Sequence, residues 1–461
     1  MRPLPSPVAD AGETAPPRDF LGHPPGLAYL FLTEMWERFS YYGMRALLVL
    51  YMVKYLFVSD HVDNVIGYGA LKNALESAFG PLGPQPLASQ VYGLYTGLVY
   101  FTPLLGGLLA DRVLGQRRTV ILGASLMALG HFMMAFEQLL FLALLVLIFG
   151  SGAFKPNTTT QVGALYPPGD PRRDRGYSIY YVGINLGAFF SPLVCGTLGE
   201  RIGWHYGFAA AGVGMLIGLV VYLLATPYLP PDEIAKPGAR AREPLSPQER
   251  RGIWAIVLLS IPVALFWATY EQQGNTITLW ADDHSDRMVH LLGFTAEIPT
   301  TWFQAFNPFM IFAFTPLLIA LWTWQGRHGH EPSTLTKMAL GCFGLAAGNL
   351  ILMVAAMAAG PDKASWLWLF AYFVVITIGE LYLSPVSLSL VSKIAPARMA
   401  SLMMAVWLAT SFSGNLLAGF LGSYWSAMGK PAFFLLITVI ATLAGIIIAL
   451  FQWPLRGLLR N

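Results

Sequence analysis

The stretch LPPDEIAKPGARAREPLSPQER, residues 229–250, is polar, charged and Pro-rich, and on both sides of it the chain is dominated by apolar runs. A helix needs about 20 apolar residues to cross the hydrocarbon of a bilayer, and run after run reaches that length. Reading the runs between turn and charge clusters places spans near 27–57, 88–110, 117–136, 139–165, 175–199 and 205–228 before the stretch. After it they fall near 252–280, 301–324, 335–358, 365–392, 399–424 and 431–453. In chain order these are helices 1 to 12. The pattern predicts an all-α polytopic membrane protein with twelve transmembrane helices in two six-helix bundles, 26–228 and 252–453. A linker at 229–251 joins them, and tails at 1–25 and 454–461 flank them.

Composition excludes most alternatives. Of 461 residues 55% are hydrophobic and only 11% charged, against about 25% charged in soluble domains. A soluble fold, a disordered chain, a nucleic-acid binder and a secreted disulfide scaffold all fall on that contrast. Cys195 and Cys342 sit inside apolar segments and predict neither a disulfide nor a metal site. Residues 1–25 contain no apolar stretch of signal-peptide type, so helix 1 is expected to be kept. One alternate set of connections holds 19 Lys and Arg and the other six. That bias predicts an integral protein of the cell membrane with both termini in the cytoplasm. Two halves of six spans are the layout of the major facilitator fold, with its substrate site at the midplane between the halves.

Three of the 28 basic residues remain, Arg38, Arg45 and Lys155, and each lies inside a span, as do Glu34, Glu37, Glu271 and Glu380. An ionised group at the centre of a membrane helix costs roughly 2.5 to 3.5 kcal/mol even on the lenient insertion scale. The seven are therefore expected to face one another or a wet cavity. Three positive and four negative groups leave one negative charge over, which suits a proton or a substrate carrying an amine. Glu34, Glu37, Arg38 and Tyr41 share one face of helix 1, with Tyr42 and Arg45 further along. In GSGAFKPN, 150–157, small residues allow close helix approach and Pro156 loosens the helix just after Lys155.

EMWERFSYYG, residues 34–43, resembles the helix 1 signature of the proton-coupled oligopeptide transporter family (POT/PTR) of the major facilitator superfamily. Further segments resemble that family in the expected order: GGLLADRVLGQRR (106–118), the KPN segment, YYVGINLG (180–187), FWATYEQQG (266–274), WFQAFNP (302–308) and GELYLSP (379–385). The resemblance implies symport of di- and tripeptides with protons, driven by the proton gradient, without cofactor or metal and with a monomer as the expected state. It implies that Arg38 and Lys155 hold the peptide carboxylate, and that Asn307 and Glu380 receive its amino terminus. Tyr42, Tyr100 and Asn185 would contact the backbone or carboxylate; apart from the resemblance, Trp407 is expected to supply an apolar pocket for a peptide side chain. Glu34 and Glu37 match the proton-coupling carboxylates, with Glu271 and Glu380 also candidates. Arg45 with Glu271 matches the outer gate pair and Lys155 with Glu380 the inner one.

The physics of a short peptide leads the same way. A zwitterion with a variable middle is best gripped by both ends, here from opposite halves. Two departures from the family stand out. The linker is too short for the two extra helices of many bacterial members, and Gly93 stands where animal members carry a helix 2 histidine. Proton coupling would then rest on carboxylates. The rivals are another carrier of this architecture, for nitrate or an amphiphilic drug, a channel or receptor, and an enzyme. No HExxH or GxSxG element supports an enzyme. Asp282, Asp283, His284 and Asp286, and likewise His328, His330 and Glu331, read as solvated loops, and His131 as a hydrogen-bonded structural histidine. Asp111, Arg112, Arg117 and Arg118 are expected to fasten the ends of helices 2 and 3. Trp302, Phe266 and Trp280 could equally line side-chain pockets or pack.

Overall fold

The computed structural model describes residues 20–60, 62–167, 169–232, 246–291, 293–396 and 399–452. Residues 1–19 of the expected N-terminal tail, the whole expected C-terminal tail, 454–461, and the centre of the linker, 233–245, lie outside the described residues. Helix 1 runs Pro25–Lys54, helix 2 Pro84–Leu114, helix 3 Gln116–Met133, helix 4 Leu140–Ala164, helix 5 Arg173–Arg201 and helix 6 Trp204–Tyr228. Helix 7 is Pro247–Asp283, helix 8 Thr300–Arg327, helix 9 Thr334–Ala359, helix 10 Leu367–Ile394, helix 11 Ala400–Gly422 and helix 12 Lys430–Leu450. Eleven of the twelve are apolar and long enough to cross a membrane by themselves. Helix 3 is the weakest because Arg117, Arg118 and His131 occupy its short length. It still runs antiparallel along helix 4: Gly123 meets the Gly150 backbone and Gly130 meets Leu147.

Local chemistry sets the ends. Proline at the first turn of helices 1, 2, 7 and 12 gives up an N–H that would lack a partner there. Helix 7 also opens on a capping box. Glu249 N–H donates to Ser246 Oγ at 3.2 Å, and Ser246 N–H donates to Glu249 Oε2 at 2.8 Å. Interior prolines Pro156, Pro262, Pro316 and Pro385 each remove one ladder hydrogen bond in helices 4, 7, 8 and 10. Helix 5 loosens into a wide π turn at Pro192–Gly196. The connections hold elements that the apolar runs do not announce. A helix at Tyr68–Phe79 follows helix 1, and an antiparallel pair, Met288–Leu291 with Phe294–Glu297, follows helix 7.

In the first half helix 1 packs on helices 5 and 6, and helix 3 on helix 4. In the second, helix 9 packs on helices 10 and 12, and helix 7 on helix 11. The halves meet where helix 2 lies on helix 11 and helix 5 on helix 8. Gly93 explains itself at the first of these contacts. A Cβ there would stand 2.6 Å from the Asn415 carbonyl oxygen and 2.6 Å from Gly419 Cα, so backbone fills the space a histidine would need.

Among the described residues, hydrogen bonds and ion pairs fasten the two halves at one end only. Lys54 Nζ lies 2.9 Å from Asp282, and Ser89 Oγ donates to Asn275 Oδ1 at 2.8 Å. Gln85 Nε2 donates to the Gly422 carbonyl at 2.9 Å, and Trp302 Nε1 to Thr197 Oγ1 at 2.8 Å. Among the described residues every hydrogen bond between the halves lies toward this end, which carries neither terminus. At the other end, among the described residues, helices 4 and 10 share no hydrogen bond or ion pair.

Candidate functional site

Helix 1 presents its charged face inward as the 3.6-residue period requires: Glu34, Glu37, Arg38, Tyr41 and Arg45 are all buried. Arg38 Nη2 donates to Glu37 Oε1 at 2.6 Å and its Nε also donates to Glu37. The same Nε is 3.3 Å from Glu34 Oε1. Glu34 is completed from helices 4 and 5, where Tyr180 O–H donates to its Oε2 at 2.6 Å and Thr158 lies 3.3 Å away. Two carboxylates thus share one guanidinium. Two turns on, Arg45 pairs with Glu271 of helix 7 and its Nε donates to Tyr92 Oη at 2.7 Å. This pair crosses between the halves at the fastened end.

A cavity of about 260 Å³ lies between the halves. Tyr42, Tyr100, Asn185 and Tyr181 line it from the first half, and Tyr270, Gln304, Asn307 and Glu380 from the second. Arg45 and Glu271 form part of its wall. Glu380 accepts from Tyr270 O–H at 2.6 Å and from Asn307 Nδ2 at 2.8 Å, both on Oε2. Lys155 is on the opposite side, its ammonium 4.5 Å from the Tyr100 ring centroid and 5.9 Å from that of Tyr41, in cation–π range. Among the described residues neither Lys155 nor Glu380 has an ion-pair partner within 4.0 Å. The two expected to form an inner gate therefore stand apart here.

Of the other expected site residues, Trp407 is buried against helix 10, its Nε1 donating to Ser387 Oγ at 3.3 Å, and does not reach the cavity. Arg38, Glu34 and Glu37 form a cluster beside the cavity rather than its lining. Phe266 and Trp280 are packed core side chains. One structural expectation needs correction: His131 is fully buried with neither ring nitrogen hydrogen-bonded, because helix 3 turns it into apolar packing. Lys337, counted with a connection, belongs to helix 9, paired with Glu331 at 2.5 Å and 4.2 Å from the Trp322 ring centroid. At the ends of helices 2 and 3 it is Arg117 that acts, its backbone N–H donating to Asp232 Oδ1 at 2.8 Å beyond helix 6. Asp282 and Asp283 hold Lys54, while His284 stacks on Trp280 with centroids 5.0 Å apart, where burial pushes its pKa down.

Sequence reasoning missed Glu200 and Tyr270. Glu200 lies at the end of helix 5 and bonds to the start of helix 8. The residue type at a span's end carries no sign of that partner. Tyr270 sits inside the quoted FWATYEQQG segment, where neighbouring Glu271 drew the attention because it is charged.

A twelve-helix bundle of two halves, with buried charges around a polar cavity between them, has the architecture of a major facilitator carrier. A sequence model of the POT family matches residues 117–236 and 241–433. A peptide transporter of Yersinia enterocolitica is 32% identical over 518 aligned residues, covering 96% of this chain and 97% of the relative. A di-/tripeptide transporter of Lactococcus lactis is 32% identical, covering 96% and 98%. A crystal structure of a POT family transporter in complex with a thioalcohol-conjugated peptide superposes with a TM-score of 0.82 at 28% identity, covering 94% and 97%. The chain belongs to the POT family, the proton-coupled oligopeptide transporters.

Proposed function

We propose that the protein is a proton-coupled symporter that imports di- and tripeptides across the cell membrane by alternating access, with both termini in the cytoplasm. One observation carries the reading. Glu380 lines the cavity from one half, Lys155 stands beside Tyr100, which lines it from the other, and among the described residues neither has an ion-pair partner within 4.0 Å. Leaving them so is costly unless something completes them. A short peptide brings a carboxylate for the first and an ammonium for the second, and its side chains can vary between. The relatives named for peptides support this reading.

In this reading Arg38 and Lys155 take the carboxylate, Glu380 and Asn307 the ammonium, and Tyr42, Tyr100 and Asn185 the backbone. The surplus negative charge belongs to the Glu34–Glu37–Arg38 cluster, so a proton brought from outside settles on Glu34 or Glu37. Trp407 would meet a side chain only in another state. The halves, 26–228 and 252–453, rock as two bodies. The Arg45–Glu271 pair closes the outer end in the state described, which is then inward-facing, and Lys155 with Glu380 closes the inner end when the outer opens. Each chain holds a complete site, so a monomer suffices.

The test is uptake of labelled dialanine into proteoliposomes. An inward acid gradient with negative interior should concentrate dialanine. Each proton contributes about 2.3 kcal/mol per 100 mV, or roughly 50-fold. A protonophore should abolish the accumulation. Absence of uptake, accumulation that survives the protonophore, or equal competition by nitrate would overturn the proposal.

A further inference from the structure

Glu380 is the anchor assigned above to the peptide's ammonium, and its two oxygens are not equivalent. Tyr270 O–H and Asn307 Nδ2, at 2.6 and 2.8 Å, both donate to Oε2. Asn307 is shared further with Thr377 Oγ1 at 3.1 Å, which holds its amide in place. Oε1 accepts no hydrogen bond among the described residues, yet Glu380 lines the cavity, so this oxygen is the one left to the ligand.

Tyr270 is rigidly placed for its part. Its ring stacks on Phe266 with centroids 5.8 Å apart at 14°, and meets Trp267 edge-on at 5.5 Å and 88°. Pinning one carboxylate oxygen with two donors fixes the rotation of the group and saturates half of it. A cation then finds a single acceptor in a single direction, already paid for in conformational entropy.

We propose that Tyr270 is a specificity-determining positioning residue: it holds Glu380 Oε2 so that Oε1 alone receives the peptide's amino terminus. The inference rests on the peptide reading above. It concerns selection of a free amine over a blocked one. An N-acetyl group carries no charge, and its single N–H is a weak match for a carboxylate, so most of the discrimination at this end comes from how well Glu380 is presented.

The test is calorimetric titration of purified full-length protein in lipid nanodiscs with dialanine and with N-acetyl-dialanine. Tyr270→Phe keeps the ring and its stacking and removes only the donor. Dialanine should bind the variant about tenfold more weakly, the scale of one hydrogen bond to a charged group. N-acetyl-dialanine should bind variant and wild type alike, so the preference for the free amine shrinks about tenfold. A structural role alone would weaken both ligands equally, and that result would overturn the proposal, as would an unchanged preference. Should Tyr270→Phe not be monodisperse, Tyr270→Leu removes the same donor from the same oxygen and carries the same expectation. Wild type that binds no dialanine would refute the peptide reading itself, whereas wild-type binding with an unchanged preference in the variant would refute only the part given to Tyr270.

Discussion

Removing the Glu200 carboxylate should open the fastened end of the bundle. Helix 8 begins with Thr300 and has no side-chain cap of its own. Its first free N–H groups are taken by a residue of the other half. Thr300 N–H donates to Glu200 Oε2 at 2.8 Å, and Thr301 N–H and Oγ1 reach Oε1 at 2.8 and 2.7 Å. A carboxylate at a helix N-terminus also gains from the dipole. Hydrogen bonds to a charged group are worth about 1.5 to 3 kcal/mol each, but Glu200 is half-buried and water replaces part of that loss. Loss of a helix cap costs about 0.5 to 2 kcal/mol, so about 2 kcal/mol is the net figure for Glu200→Ala. All of it is lost in the state with this end closed, because the contact exists only there. The ratio of closed to open should fall about 30-fold. Electron–electron spin distances between nitroxides at Phe136→Cys and Lys363→Cys, both exposed in connections at this end, report the ratio. Native Cys195 and Cys342 are buried and should escape labelling. Glu137→Ala is the control, since Glu137 bonds Tyr55 at 2.5 Å and approaches His205 within the first half. A distance distribution unchanged in Glu200→Ala, or shifted as much in Glu137→Ala, would refute the reasoning.

Two further outcomes follow from the charge clusters. Glu34→Gln and Glu37→Gln should each abolish acid-driven accumulation of dialanine while sparing exchange of labelled for unlabelled peptide, and intact acid-driven uptake in both would remove helix 1 from the proton path. Glu271→Gln leaves Arg45 buried without a counter-ion among the described residues, held by the Tyr92 hydroxyl and the Tyr42 ring, which should destabilise the fold by about 3 to 5 kcal/mol in thermal unfolding. Arg45→Leu combined with Glu271→Leu should recover most of that stability without recovering transport.

Most of the architecture could be read from the chain because a bilayer leaves few solutions. Apolar runs of the required length must be helices. Even so, the bounds moved where polar residues continue a helix past the hydrocarbon: helix 2 starts at Pro84 rather than near 88, and helix 8 extends to Arg327. Charge was the legible part of the site, since seven ionisable residues inside spans are conspicuous against 11% overall. Neutral hydrogen-bonding groups were not. Tyr180 on Glu34 and Tyr270 on Glu380 look like any other tyrosine in a bundle with 20 of them, until packing brings each hydroxyl to a carboxylate. The tryptophans carry no sign of their surroundings either: in the state described Trp407 and Trp280 are buried in packing, and Trp302 hydrogen-bonds across the halves.

Sequence arithmetic finds one surplus negative charge but not its address, and the address decides the coupling. The seven groups resolve into a cluster of two carboxylates and one guanidinium, a balanced pair, and two separated opposite charges. The surplus therefore sits with Glu34, Glu37 and Arg38, while the function proposed above puts the substrate's complement at Lys155 and Glu380. In that proposal a proton on the cluster would free Arg38 from one of its two anions, and the freed guanidinium would turn toward a peptide carboxylate beside Lys155. Helix 1 carries both this cluster and, two turns along, Arg45 of the outer pair. In the proposed mechanism, a change of tilt that lets Arg38 turn would also strain Arg45 against Glu271. The proposal thus makes protonation, carboxylate binding and the outer closure three loads on one helix, so that a proton bound beside the cavity would bias which end of it opens.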